Sequence, residues 1–285
     1  MFDRNKKHCA MIIDAHQHFW YYNTQKHAWI NDEMALLKRN FLPIDLQVVY
    51  QKNGIDACVA VQADQSEAET DFLLELAEEY DFIKGVVGWV DLRSEKVEER
   101  LAYYAQFPKL KGFRHVVQDE PDPEFMLGTH FSEGLSLLSK YNFTYDVLIF
   151  PPQLEAAIKT VQNFPNQKFV LDHIAKPYIK AGKIDQWETH TRKLASYPNV
   201  YCKVSGMVTE ADWKNWKPQD FEPYLDVVFD AFGVDRLMFG SDWPVCLLGG
   251  AYTKIKGILE QYIAKRSKEE SAKIFGGNAA SFYGL

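Results

Sequence analysis

Ala10-Met-Ile-Ile-Asp-Ala15 is a short apolar run that delivers two histidines, His16 and His18, just past its end. A run of this length, rich in apolar side chains and closed by polar residues, is a strand rather than a helix. Seven more follow, at 57–62, 82–90, 110–117, 143–150, 168–172, 200–204 and 236–239, and their starts recur about every 32 residues, the size of a strand plus its crossover helix. The stretches between them have helical spacing. Within 66–80 the apolar residues Phe72, Leu73, Leu76 and Ala77 share a face, as Val97, Leu101 and Tyr104 do within 94–105. Further helices are expected at 134–140, 153–163, 184–197, 218–232 and 252–264. Eight strands alternating with helices predict an α/β protein built as a single (β/α)8 TIM-type barrel. An open doubly wound sheet would usually advertise a Gly-rich phosphate loop after its first strand, and no GxGxxG or Walker-type glycine loop occurs.

Composition fits that reading. The chain has 285 residues, 47% hydrophobic and 25% charged, which suits a globular protein with a sizeable core. No repeat, low-complexity tract or Pro/Ser-rich linker divides it, so one barrel domain over 11–285 preceded by a leader at 1–10 is the simplest organisation. The formal net charge of −7, without a basic tract, argues against nucleic acid and anionic membrane as partners. Apolar stretches fall far short of the ~20 residues that span a bilayer. With no signal-peptide run after Met1, a cytoplasmic location is expected. Cys9, Cys58, Cys202 and Cys246 are widely separated and read as free thiols. An oligomer is left open.

Barrel chemistry sits at the carboxyl ends of strands. His16 and His18, two apart in an extended segment, can converge on one ion or one substrate group. The fourth run ends in Arg114-His115, and the sixth continues through His173 to Lys176; these groups can hold anionic or hydroxyl-rich substrate atoms and polarise a carbonyl. The eighth delivers Asp242 after Gly240, followed by Trp243-Pro244, a carboxylate suited to act as general base. The plainer alternatives are a helix N-cap for Asp242, a salt bridge for Arg114 and a solvated loop for Lys176. The connection 20–46, with Trp20, Tyr21, Tyr22, Trp29 and Phe41, is either a lid or a loop packed on the rim. Ser205-Gly206 lacks a serine-hydrolase elbow.

Together, Asp14-Ala-His-Gln-His-Phe-Trp20, Gly112-Phe-Arg-His115, Leu171-Asp-His-Ile-Ala-Lys-Pro177, Lys203-Val-Ser-Gly206, Phe239-Gly-Ser-Asp-Trp-Pro244 and Asn278-Ala-Ala-Ser-Phe-Tyr283 resemble the amidohydrolase-related family, in particular its sugar-lactonase branch. The resemblance runs from about Met11 to Leu285. It implies a hydrolase that opens a small sugar (or related acid) lactone, with His16 and His18 as the first-strand pair, His173 as the sixth-strand histidine and Asp242 as general base. Arg114 would contact the substrate. Trp20, Trp29 and Trp243 would wall a sugar ring, while His115 and Lys176 would meet its hydroxyls. Metal-dependent members usually add a fifth-strand histidine; here 142–151 has none, and its one carboxylate is Asp146. The site can therefore hold one divalent, zinc-like ion on His16, His18 and Asp242, with His173 as an optional fourth ligand, or none. A metal-dependent decarboxylase and a non-catalytic metabolite-binding barrel are the alternatives.

Overall fold

In the computed structural model, which describes residues 11–285, every strand pairs in parallel with the next in chain order. The strands are β1 (Ile13–Gln17), β2 (Ala57–Val61), β3 (Ile83–Gly88), β4 (Leu110–His115), β5 (Thr144–Val147), β6 (Phe169–Leu171), β7 (Val200–Val204) and β8 (Leu237–Phe239). The ring closes just past β8. Gln17 bridges Trp243 in parallel, the amide of Asp242 donates to the carbonyl of His16 at 2.8 Å, and that of His18 donates to Trp243 at 2.7 Å. All eight expected strands are present, most of them trimmed by one to three residues at an end, while the first, expected at 10–15, runs on to Gln17. The leader at 1–10, with His8, Cys9 and the start of the first run at Ala10, lies outside the described residues.

Crossover helices surround this ring: α1 (Pro43–Asn53), α2 (Glu67–Glu79), α3 (Val97–Tyr104), α4 (Thr129–Leu137), α5 (Leu154–Asn163), α6 (Asp185–Ala195), α7 (Glu222–Phe232) and α8 (Tyr252–Tyr262), with α9 (Lys268–Ala272) and α10 (Asn278–Tyr283) behind them. Two features depart from expectation. The helix expected at 134–140 begins earlier, at Thr129, and ends in a tight turn, Leu138–Tyr141. Helix α1 has no clean amphipathic signature, because Pro43, Leu46 and Tyr50 are buried while Ile44 and Val48 on the same short helix stay exposed. None of the helices among the described residues is long and apolar enough to cross a membrane.

Alternation along the strands divides the interior into two cores. Ile13, Ala57, Val59, Val61, Val87, Val170 and Met238 fill the barrel with α10 beneath them, whereas Phe113, Tyr145, Phe169, Cys202 and Phe239 face the helices. Cys58, Cys202 and Cys246 are buried free thiols. The register of β1 slips between Asp14 and Gln17. That irregularity lets Asp14 face outward to the hydroxyls of Tyr50 (3.1 Å) and Tyr252 (2.9 Å) while His16, two residues on, turns inward.

Candidate active site

The inward positions at the carboxyl ends of β1, β4, β5, β6 and β7 are polar, and they lie above the apolar plug. Asp14 anchors the rim: its carboxylate accepts from the amides of Ser241 (2.8 Å) and His16 (3.2 Å), tying the ends of β8 and β1 together. Gly240 is required there, because a Cβ at that position would sit 2.7 Å from the Cβ of His16. Asp242, with φ of 59°, projects its side chain into the mouth. Its carboxylate caps no helix; the amide of Cys246 bonds to its backbone carbonyl instead.

Three imidazoles surround that carboxylate. His18 Nδ1 donates to the carbonyl of Val61 at 2.7 Å, leaving Nε2 free to face Asp242 Oδ1 at 3.3 Å. His173 bonds through Nδ1 to the Ser205 hydroxyl at 2.9 Å and turns Nε2 toward the same oxygen at 3.9 Å. His16 lies between, its ring centroid 4.9 Å from that of His18 and 4.3 Å from that of His173. Burial drives the pKa of both His16 and His173 well below the ordinary histidine value and outweighs the opposing pull of Asp172; nearby positive charge (Lys203 for His16, Lys176 and Arg114 for His173) adds to the lowering. Both are neutral at pH 7, the form that can accept a proton or ligate a metal.

Beneath them lies an ionic layer. Lys203 from β7 contacts Asp146 of β5, Asp172 Oδ1 (3.1 Å) and His16 Nδ1 (3.2 Å). Arg114 of β4 reaches Asp172 Oδ2 (3.1 Å), His16 Nε2 (3.2 Å) and both oxygens of Gln62. Burial alone would raise the carboxyl of Asp172, yet Lys203, His16 and Arg114 together hold it well below the usual range. Asp146 is pushed the other way by burial, against the pull of Lys203, and accepts from Tyr283 of α10 at 2.9 Å. The run Val200-Tyr-Cys-Lys-Val204 carried a readable signal, a lysine on the inward parity of an apolar strand, which as a bare pattern names no partner.

Above the imidazoles opens a cavity of about 430 Å³, lined by His18, Arg114, His173 and Asp242 at its floor and by Trp29, Lys176, Glu210 and Trp213 at its walls. A hollow of about 390 Å³ at the other end of the barrel has Lys111 and Lys168 but no comparable cluster. Not every expected residue reaches the mouth. Trp20 is buried against Phe41 and Trp29, and its indole N–H donates to the carbonyl of Arg39. Trp243 is buried against Phe19 and Phe41. His115 points to the helical side, stacked on Phe125 and bonded to Glu120 at 2.6 Å. The loop 20–46 is thus a packed rim that offers the cavity Lys26, Trp29 and Met34. Lys176 and Glu210 line the wall as a pair, and neither Glu210 nor Trp213 stood out in the sequence.

The model of the Amidohydrolase family (Amidohydro_2) matches residues 13–285. The chain belongs to that family. Among its relatives, the L-fucono-1,5-lactonase of Burkholderia multivorans is 41% identical over 97% of each chain, and that of Burkholderia ambifaria is 34% identical over 95% of this chain and 94% of its own. Crystal structures of an amidohydrolase from Burkholderia multivorans, one with bound HEPES and one with bound Zn, superpose at a TM-score of 0.93 with 41% identity, covering 97% of this chain and 100% of theirs. In this amidohydrolase-family barrel the ligand atoms of His16, His18 and Asp242 lie within 4.8 Å of one another, as do those of His16, Asp172 and His173. The first trio, two imidazoles and a carboxylate with the His18 Nε2 lone pair directed inward, fits a divalent ion of the zinc type. In the second, Asp172 is already spent on Lys203 and Arg114.

Proposed function

We propose that this chain is a lactonase that opens a small sugar lactone of the kind for which its Burkholderia relatives are named. The observation that carries the reading is the Asp242 carboxylate, unspent on any cap, facing a cavity of substrate size beside two histidines that each offer Nε2. Water held between Asp242 and the ring carbonyl loses a proton to Asp242 as its oxygen bonds to the carbonyl carbon. With the Ser205 hydroxyl donating to Nδ1, His173 presents Nε2–H to the developing oxyanion, and the positive charge of Arg114 behind it adds to the stabilisation. The C–O ring bond then breaks, and the proton taken up by Asp242, or one from Lys176, passes to the departing ring oxygen. The product is a hydroxy acid.

A divalent ion on His16, His18 and Asp242 would supply Lewis-acid polarisation of the carbonyl. The aromatic wall toward a sugar ring would come from Trp29, which lines the cavity. The barrel over 11–285 is proposed as the whole catalytic unit.

A panel of five- and six-membered sugar lactones, read as acid release at pH 7 with and without a chelator, tests this. Acid release from one or more members is expected, and the chelator arm reports the metal requirement. Saturable binding of lactones without acid release would replace the lactonase by a metabolite-binding barrel.

A further inference from the structure

The cations of the cavity are already committed. Three line it, Lys26, Arg114 and Lys176, against four carboxylates, Asp64, Asp119, Glu210 and Asp242. Arg114 spends its guanidinium on Asp172 and Gln62. At the outer rim Lys26 lies 3.7 Å from Asp64. On the wall Lys176 lies 3.9 Å from Glu210, with both side chains more than four-fifths buried. Whatever ion the floor holds, a lactone carboxylate at the wall and rim would meet no unpaired cation, since Lys26 and Lys176 are paired, and an excess of negative charge from Asp64, Asp119 and Glu210. Hydroxyl groups, in contrast, find acceptors in Glu210, Asp119 and Gln118, a further acceptor in Thr209, whose own hydrogen goes to the carbonyl of Gly206, and a donor in Lys176.

Building on the lactonase reading, we propose that the cavity admits uncharged polyhydroxy lactones and rejects lactones that carry a carboxylate, with Glu210 as the specificity-determining residue because it holds Lys176. The same charge pattern acts on the product. Hydrolysis converts the neutral substrate into an anion inside an anionic wall, so the sugar acid is expelled and inhibits weakly. Replacing Glu210 by a neutral residue of the same shape removes one negative charge and releases one partly buried lysine, turning the wall into a carboxylate site.

The test compares kcat/KM for L-fucono-1,5-lactone and D-glucaro-1,4-lactone, the second bearing a free carboxylate, together with inhibition by L-fuconate. The unaltered enzyme is expected to favour the neutral lactone by at least about tenfold. Glu210→Gln should shift that ratio about tenfold toward the carboxylated lactone and tighten inhibition by L-fuconate. The double variant Glu210→Gln with Lys176→Met should restore the original preference, which separates a freed lysine from a damaged wall. Equal efficiency on the two lactones in the unaltered enzyme, or an unchanged ratio in Glu210→Gln, overturns the proposal. If neither lactone is hydrolysed the lactonase reading fails on its own; calorimetric binding of the two intact lactones then tests the charge preference separately, and equal binding, or none, overturns it.

Discussion

Lys203 and Asp172 form an ion pair 3.1 Å across beneath the imidazole cluster, and both side chains are wholly buried. Lys203 also carries the charge of Asp146, so one ammonium serves two carboxylates that have lost their water. Removing one partner of such a network leaves buried charge uncompensated. Lys203→Met is therefore expected to lower the unfolding free energy by about 3–5 kcal/mol, measured by denaturant unfolding. Adding Asp146→Asn should recover part of that loss. A loss below about 1 kcal/mol would mean that the layer is stabilised from elsewhere.

Asp242→Asn keeps the shape of the side chain and removes its ability to take a proton. Acid release from the lactone panel should fall by about 10²–10⁴-fold while the thermal midpoint stays close to that of the unaltered protein. Full retention of activity would remove Asp242 from the role of base.

Gly206 has φ of 61°, and a Cβ there would lie 2.4 Å from Nδ1 of His173. Gly206→Ala must displace the imidazole or the backbone and break the bond from His173 to Ser205. The expected outcome is a large fall in kcat with the fold intact by circular dichroism. An alanine variant of normal kcat would show that the orientation of His173 is not needed.

Glu69 is buried on α2, and burial pushes its carboxyl from 4.5 to about 7. The folded state thus keeps this proton where the unfolded state has lost it, and the contribution of Glu69 to stability falls as pH rises from about 4.5 to about 7. Glu69→Gln should flatten that part of the stability curve and gain on the unaltered protein toward pH 7. Parallel curves for the two proteins across this window, followed by chemical denaturation, would contradict the shift.

The barrel was legible because hydrophobic period and spacing are local properties. Eight apolar runs at crossover spacing leave few topologies, and their polar ends marked His16, His18, His173 and Asp242. Helix α1 escaped, since Ile44 and Val48 remain exposed on it and blur the stripe that Pro43, Leu46 and Tyr50 bury. On β4 the alternation itself held a warning. Arg114 and His115 are adjacent, so one of them must face the helices, and it is His115.

By itself the sequence determined the architecture and the strand ends that carry reactive groups, because burial of a period-2 pattern in a parallel sheet needs no knowledge of distant partners. Only the tertiary structure decided where those groups point and what they neutralise. The register slip in β1 turns His16 inward, the packing of Phe19 and Phe41 takes Trp20 and Trp243 out of the cavity, and Asp172 claims Arg114 and Lys203. Charge pairing of this kind joins residues from four strands across the barrel axis, a relationship that comes into being when the ring closes.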